Sequence, residues 1–276
     1  MTVRQLAGAW LAALVMAAGA VGAVRSVAPP RHEFFQHVQV AVIGSSLMKS
    51  AVAPTGSGAT SLLGDGRIHE RVGVNSVEEW QAITLAAGAV SSGARVVLIE
   101  VNPFIRDLPA IAAERTCDAR QTGLRHWLKD TQFTLANDFH SAFGLSRMER
   151  RGDGDPPRLH EQQHFTADEI KVMYPLVLHQ PYCGRELGRL VQATRAHGVT
   201  MVMLLPPHSA ASEVVQGKRA TAALRALASQ TAAGYGLPLF APQGPWDNAE
   251  FYDLAHLNVR GRAHFQAELA AWWRSR

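Results

Sequence analysis

Val38-Gln39-Val40-Ala41-Val42-Ile43-Gly44-Ser45-Ser46-Leu47 is a run of β-branched and apolar residues, interrupted once at Gln39, that stops at a glycine and two serines. A run this short and this apolar predicts a parallel strand covered on both faces. Gly44 predicts a sharp turn at the end of that strand. A helix starting next would place Ser45 and Ser46 at a helix end with unpaired backbone N–H groups. A serine there has two readings. It is a turn or cap residue, or it is a nucleophile whose own N–H helps hold an oxyanion. Residues near the other end of the chain bear on the choice.

Working outward, four more segments read as strands: Arg67 to Val74, Ala94 to Val101, Val199 to Leu205 and Leu237 to Phe240. Between them lie helical segments. Ser76 as N-cap with Glu79 three residues later predicts a capping box and a helix to about Val90. Tyr182 to His197 is amphipathic and stops at Gly198. Glu213 to Ala233 reads as one long helix, and Arg260 to Trp273 as the closing one. Ser50 to Gly66, with Pro54 and four glycines, reads as loop. Strands alternating with helices predict an α/β fold, a doubly wound parallel five-stranded sheet with helices on both faces. Ligands of such sheets bind at the carboxyl ends of the strands. That edge would carry Ser46, the Gly73 to Asn75 turn, Asn102 and His208.

Leu6 to Val24 carries no charge and lies between Arg4 and Arg25, long enough to span a bilayer as a helix. Two readings are open: an uncleaved anchor with Arg4 on the cytoplasmic side, or a signal peptide cut after a small residue such as Ala20 or Ala23. Both export the remainder, which predicts a periplasmic protein tethered to the inner membrane or released after cleavage. Pro29-Pro30 then makes a stiff spacer. Residues 1–31 are thus read as anchor or signal and linker, and 32–276 as the α/β domain. A long insertion or lid occupies about 104–180 and includes the Gly/Asp/Pro-rich hinge Arg151 to Pro157. The 276 residues, 47% hydrophobic and 18% charged, suit one large globular domain, or one domain plus a tail. The net charge of +4 comes from scattered arginines. No basic run with interleaved aromatics points to nucleic acid. Cys117 and Cys183 would be thiols in a reducing compartment and one disulfide in an oxidising one. Trp272-Trp273 pack on the core or sit near a membrane surface.

The second decisive stretch is Phe251-Tyr252-Asp253-Leu254-Ala255-His256-Leu257-Asn258-Val259-Arg260-Gly261. Asp253 and His256 stand three apart just before the last helix, so one short loop could present both. The carboxylate would fix the imidazole's tautomer, and the imidazole would take a serine proton. Taken alone, the pair is also what a solvated loop looks like.

Gly-x-Ser-Leu after the first strand, with Asp-x-x-His-Leu-Asn-x-x-Gly before the last helix, resembles the SGNH (GDSL-type) hydrolase and acyltransferase superfamily. The resemblance covers roughly His32 to Trp273, with the insertion poorly matched. It implies a flavodoxin-like fold, with Ser46 as nucleophile and Asp253 and His256 as acid and base. It also implies an oxyanion hole from the Gly73 N–H and the Asn102 side chain. The family's third block, Gly-x-Asn-Asp, stands here as Glu100-Val101-Asn102-Pro103, without the flanking Gly and Asp. On the residues alone, Gly73 could be only a turn glycine and Asn102 only a cap before Pro103. Gly44-Ser45-Ser46 in place of Gly-Asp-Ser is similar to the exported, membrane-tethered branch that moves acyl groups onto envelope polymers. That branch implies an acyl donor and a polysaccharide acceptor. It also implies an integral-membrane acyltransferase partner, with the chain held at the membrane through residues 6–24. A periplasmic carbohydrate acetylesterase and a non-catalytic scaffold on the same fold are the alternatives. No cofactor is expected.

A rival motif is His160-Glu161-Gln162-Gln163-His164, which on a helix would place two zinc ligands on one face beside a general base. Pro156-Pro157 precede it closely, and Thr166 with Glu169 reads as a fresh capping box after it. That leaves about two turns of helix, so a solvated or substrate-facing lid segment is preferred to a zinc peptidase. No Gly-x-Ser-x-Gly elbow, phosphate-binding loop or dinucleotide fingerprint occurs. That argues against an ordinary lipase elbow, an NTPase and a dehydrogenase.

Overall fold

Val40–Gly44 forms β1, and every residue of it is buried, as its apolar composition requires. The computed structural model describes residues 38–73, 77–107 and 176–276, together with residues 117, 167, 168 and 171. After β1 come the short helix α1 (Ser46–Ala51), β2 (Thr55–Gly58) and β3 (Gly66–Gly73). Then follow α2 (Glu79–Ser91), β4 (Val96–Glu100) and the single turn α3 (Asn102–Ile105). Further on are α4 (Gly184–Ala196), β5 (Thr200–Leu204), α5 (Ala210–Gln216), α6 (Lys218–Gly234), β6 (Leu239–Phe240) and α7 (Val259–Arg274).

The strands form one mixed sheet in the order β2-β3-β1-β4-β5-β6. Only the β2–β3 pair is antiparallel. Without β2, the parallel part follows the doubly wound order in which the connection reverses between β1 and β4. The carboxyl ends of those two strands flank the crevice where such folds bind ligands. Ser46 follows one and Asn102 the other.

Alternation along the strands divides the core between two faces. Ala41, Ile43, Val97, Ile99, Met201 and Met203 face one layer, with Ala82 and Ala86 of α2, Leu187 and Leu190 of α4 and Leu224 and Ala228 of α6. Val40, Val42, Leu98, Val202 and Leu204 face the other, with Met48 of α1 and Phe265 and Leu269 of α7. Each large apolar side chain buried this way contributes about 1.5–3 kcal/mol over leaving it in water. Phe104 and Ile105 of α3 are fully buried in the first layer.

Three local expectations are corrected. Ser50 to Gly66 is not all loop. Thr55–Gly58 pairs with the outer edge of β3, with a register shift between Gly56 and Gly58, so the sheet is mixed and six-stranded. The long helix expected over 213–233 is two helices, because Gly217 takes φ +89°, a conformation no helix interior accommodates. The capping box of α2 is Glu78 with Gln81, not Ser76 with Glu79. Glu79 instead turns inward, and its carboxylate accepts the Tyr182 and Cys183 N–H groups. Gly44 ends β1 at the expected turn into α1, and it does so without a positive φ. Its need is space, because a Cβ there would meet the Met48 side chain and lie 2.7 Å from Glu100 Oε2.

An Arg106–Leu178 bridge brings 176–180 back beside the end of α3, and Cys117 is disulfide-bonded to Cys183. The apolar N-terminal segment, residues 74–76, the motif His160 to His164 and nearly all of the expected insertion lie outside the described residues. Among the described residues no helix is long and apolar enough to cross a membrane.

Candidate active site

Ser45 is the N-cap of α1, and its side-chain oxygen accepts the Leu47 N–H. Ser46 is therefore the first helical residue, and its N–H has no acceptor within the helix. It is only partly buried, unlike Ser45, so its hydroxyl can meet a solute.

The Asp253–His256 spacing has a local cause. Asp253 Oδ1 accepts the N–H of Ala255 at 2.8 Å and of His256 at 2.6 Å, closing a tight turn. That turn carries the ring of His256 back onto the same carboxylate, with Nδ1 2.7 Å from Oδ2. A hydrogen on Nδ1 donates to the carboxylate and leaves Nε2 as acceptor. Nε2 lies 2.9 Å from Ser46 Oγ, which can donate to it. Asp253 and His256 are 7% and 8% exposed, so the acid and base of this relay are shielded from water. The Tyr252 ring lies nearly parallel to the imidazole, centroids 5.4 Å apart.

The two halves of the relay come from residues 210 apart, and four side chains brace them. Ser50 Oγ, one turn after Ser46, donates to Leu47 O at 2.7 Å and accepts the Leu257 N–H at 3.1 Å. Arg262, buried in the first turn of α7, donates from Nε to Ser50 O at 2.8 Å. Arg71 of β3 donates to Lys49 O and Val52 O. Two buried guanidinium groups thus take up the carbonyls at the C-terminus of α1, where positive charge is favourable. From the other side Ser209, fully buried, donates to Leu254 O at 2.9 Å inside the Asp253–His256 turn. The glycine of the last motif is also explained. Asn258 caps α7 by accepting the Gly261 N–H, and a Cβ on Gly261 would run into the Glu250 carbonyl oxygen.

Gly73 and Asn102 reach this region by different routes. Gly73 ends β3 directly opposite Gly44 in the parallel register, and a Cβ there would overlap the Lys49 side chain. Asn102 starts α3, is 3% exposed, and donates from Nδ2 to Glu100 Oε1 at 2.8 Å. Glu100 Oε2 accepts the Ser45 N–H at 2.6 Å. The fully buried Glu100 therefore links Asn102 to the residue before Ser46. Neither the Glu100 bridge nor the Ser50 clamp was foreseen. A glutamate closing an apolar strand and a serine inside a helical turn carry no pattern of their own.

His208 follows β5. Burial is the main cause lowering its pKa from 6.5 to about 3, reinforced by the nearby Arg106 and Arg225 guanidinium groups and partly offset by a hydrogen bond with Gln216. The ring is neutral over the ordinary pH range. Among the described residues no cluster of three or more His, Cys, Asp and Glu side chains is placed to hold a metal ion.

No protein-family model matches the chain. No curated protein matches it either. Several solved structures are similar to it, among them two from Bacteroides. One, provisionally described as an acylhydrolase from Bacteroides fragilis NCTC 9343, is 11% identical with a TM-score of 0.41, over 90% of this chain and 89% of that one. The other, described as a GDSL-like lipase from Bacteroides thetaiotaomicron VPI-5482, is 8% identical with a TM-score of 0.42, over 92% of this chain and 95% of that one. Likeness at this level carries no functional weight of its own.

Proposed function

We propose that the chain is a serine-dependent acyl-transfer enzyme of the SGNH type. The observation that carries this reading is the hydrogen-bonded series Ser46 Oγ, His256 Nε2, His256 Nδ1, Asp253 Oδ2, with steps of 2.9 and 2.7 Å. Nucleophile and base are within reach, and the base is oriented by a third group, as this chemistry requires.

The chemistry follows from those positions. Ser46 Oγ attacks an acyl carbonyl while His256 Nε2 takes its proton, and Asp253 stabilises the imidazolium. The tetrahedral oxyanion is received by the Ser46 N–H, the Gly73 N–H and the Asn102 amide. Each such donor is worth about 3–4 kcal/mol in comparable sites. His256 returns the proton to the leaving oxygen, and the acyl group stays on Ser46. A second hydroxyl, deprotonated by the same imidazole, then takes the acyl group.

In the proposed setting the acceptor is a hydroxyl of an envelope or secreted polysaccharide, the acyl group is acetyl, and an integral-membrane acyltransferase supplies it. Residues 6–24 hold the chain at the inner membrane, or are removed on export. The Gly44-Ser45-Ser46 variant and the apolar N-terminal segment support this setting. The Cys117–Cys183 bond suits an oxidising compartment.

The test is intact mass spectrometry of the full chain after exposure to an activated acetyl ester, with and without an oligosaccharide acceptor. The expected result is one acetyl adduct on Ser46, discharged faster by the acceptor than by water, and absent in Ser46→Ala. Discharge indifferent to the acceptor would make the protein an esterase. An adduct persisting in Ser46→Ala would end the serine mechanism.

A further inference from the structure

We propose that Glu100 is a positioning residue that sets the orientation of the Asn102 amide relative to Ser46. This rests on the acyl-transfer reading above and assigns a role to a residue outside the serine, histidine and aspartate.

Glu100 closes β4 and is fully buried. Among the described residues it has no ion-pair partner. Burying an unpaired carboxylate is costly, and an apolar residue would continue the Val96-Val97-Leu98-Ile99 run without that cost. What the carboxylate supplies is two acceptor oxygens on one rigid plane. One holds the Ser45 N–H at 2.6 Å, the other the Asn102 Nδ2 at 2.8 Å. The first bond fixes the turn from β1 into α1, and so the start of the helix that carries Ser46. The second fixes which end of the Asn102 amide is nitrogen, leaving its other N–H to donate elsewhere. Gly44 belongs to the same device, since a Cβ there would press on Glu100 Oε2 at 2.7 Å.

The nucleophile turn and the amide donor therefore share one anchor across the β1–β4 crevice. A negative charge beside an oxyanion opposes it, so the benefit of Glu100 is in geometry and not in field. The discriminating substitution is Glu100→Gln, which keeps shape and removes charge. An amide cannot accept both N–H groups. With its oxygen on the Ser45 N–H, its NH2 faces the Asn102 NH2, and Asn102 must turn over.

The experiment measures kcat and KM with 4-nitrophenyl acetate, and the melting temperature, for the full chain. The variants are Glu100→Gln, Asn102→Asp, the double variant and Ser46→Ala. Glu100→Gln is expected to lower kcat by about 10- to 100-fold with KM within about threefold, since the donor acts in the transition state. In the double variant the new amide donates to the new carboxylate. The melting temperature should then recover towards that of the parent while kcat stays low, because the Asn102 amide donor is gone and only the Ser46 and Gly73 N–H groups remain for the oxyanion. Recovery of kcat together with stability would make the Glu100–Asn102 bond a structural tie and overturn the proposal. Full kcat in Glu100→Gln beside an inactive Ser46→Ala would also overturn it while leaving acyl transfer standing. Turnover surviving in Ser46→Ala would remove both.

Discussion

Asp253 makes three bonds with two oxygens: two to backbone N–H groups and one to the imidazole. The residue that orients the base also builds the turn carrying it, so its charge and its shape are separable by mutation. Asp253→Asn keeps the shape and a carbonyl oxygen. The amide nitrogen must then face either the backbone N–H pair or the Nδ1–H. The turn defends its own bonds, so the imidazole is driven to the other tautomer and Nε2 no longer accepts the Ser46 proton. The expected result is a loss of at least about 10²-fold in kcat with KM little changed, read from steady-state ester hydrolysis. Unchanged kcat would show that the carboxylate does not set the tautomer.

At the scale of elements, α1 is the part most exposed to error. Six residues of helix cannot hold a nucleophile by their own propensity. Its position comes from Ser50, Arg262 and Arg71, each reaching from or into a different part of the chain. Ser50→Ala removes the acceptor of the N–H of Leu257, the residue next to His256. A buried donor left unpaired costs about 1–3 kcal/mol, and at about 2–4 °C per kcal/mol the melting temperature should fall by several degrees. The Ser46–His256 distance loosens with it, so kcat should drop by about 10- to 100-fold. Thermal melts and initial rates on one preparation check both. A stability loss without a rate loss would show that the clamp holds the fold and not the geometry of the relay.

Across the whole molecule, the half-buried, neutral His208 couples stability to acidity. Its folded pKa of about 3 lies below the unfolded 6.5, so between those values the unfolded chain binds a proton that the folded chain refuses. Stability from this group is complete above the unfolded value and is lost as pH falls towards the folded one. The slope is at most about 1.4 kcal/mol per pH unit. Between neutral pH and pH about 4.5, His208→Gln should therefore lose roughly 2–3 kcal/mol less than the parent in denaturant titrations. Parallel losses would place the acid sensitivity elsewhere, for example at His69, whose pKa burial also lowers.

The parallel strands, the main helices and the pairing of Asp253 with His256 were legible because each has a local signal: an apolar run, a cap, a fixed spacing. What escaped has only a non-local cause. Thr55–Gly58 is two glycines and two small polar residues, a strand only because the edge of β3 offers partners. Glu100 meets Ser45 across 55 residues and Leu257 meets Ser50 across 207, distances over which no periodicity speaks.

That outer strand has a further consequence. The sheet is bordered on one side by four small residues with a slipped pairing and on the other by the two residues of β6. Neither border presents a long, flat row of free amide and carbonyl groups. Among the described residues, a strand from a neighbouring copy therefore finds no sheet edge of useful length to add to.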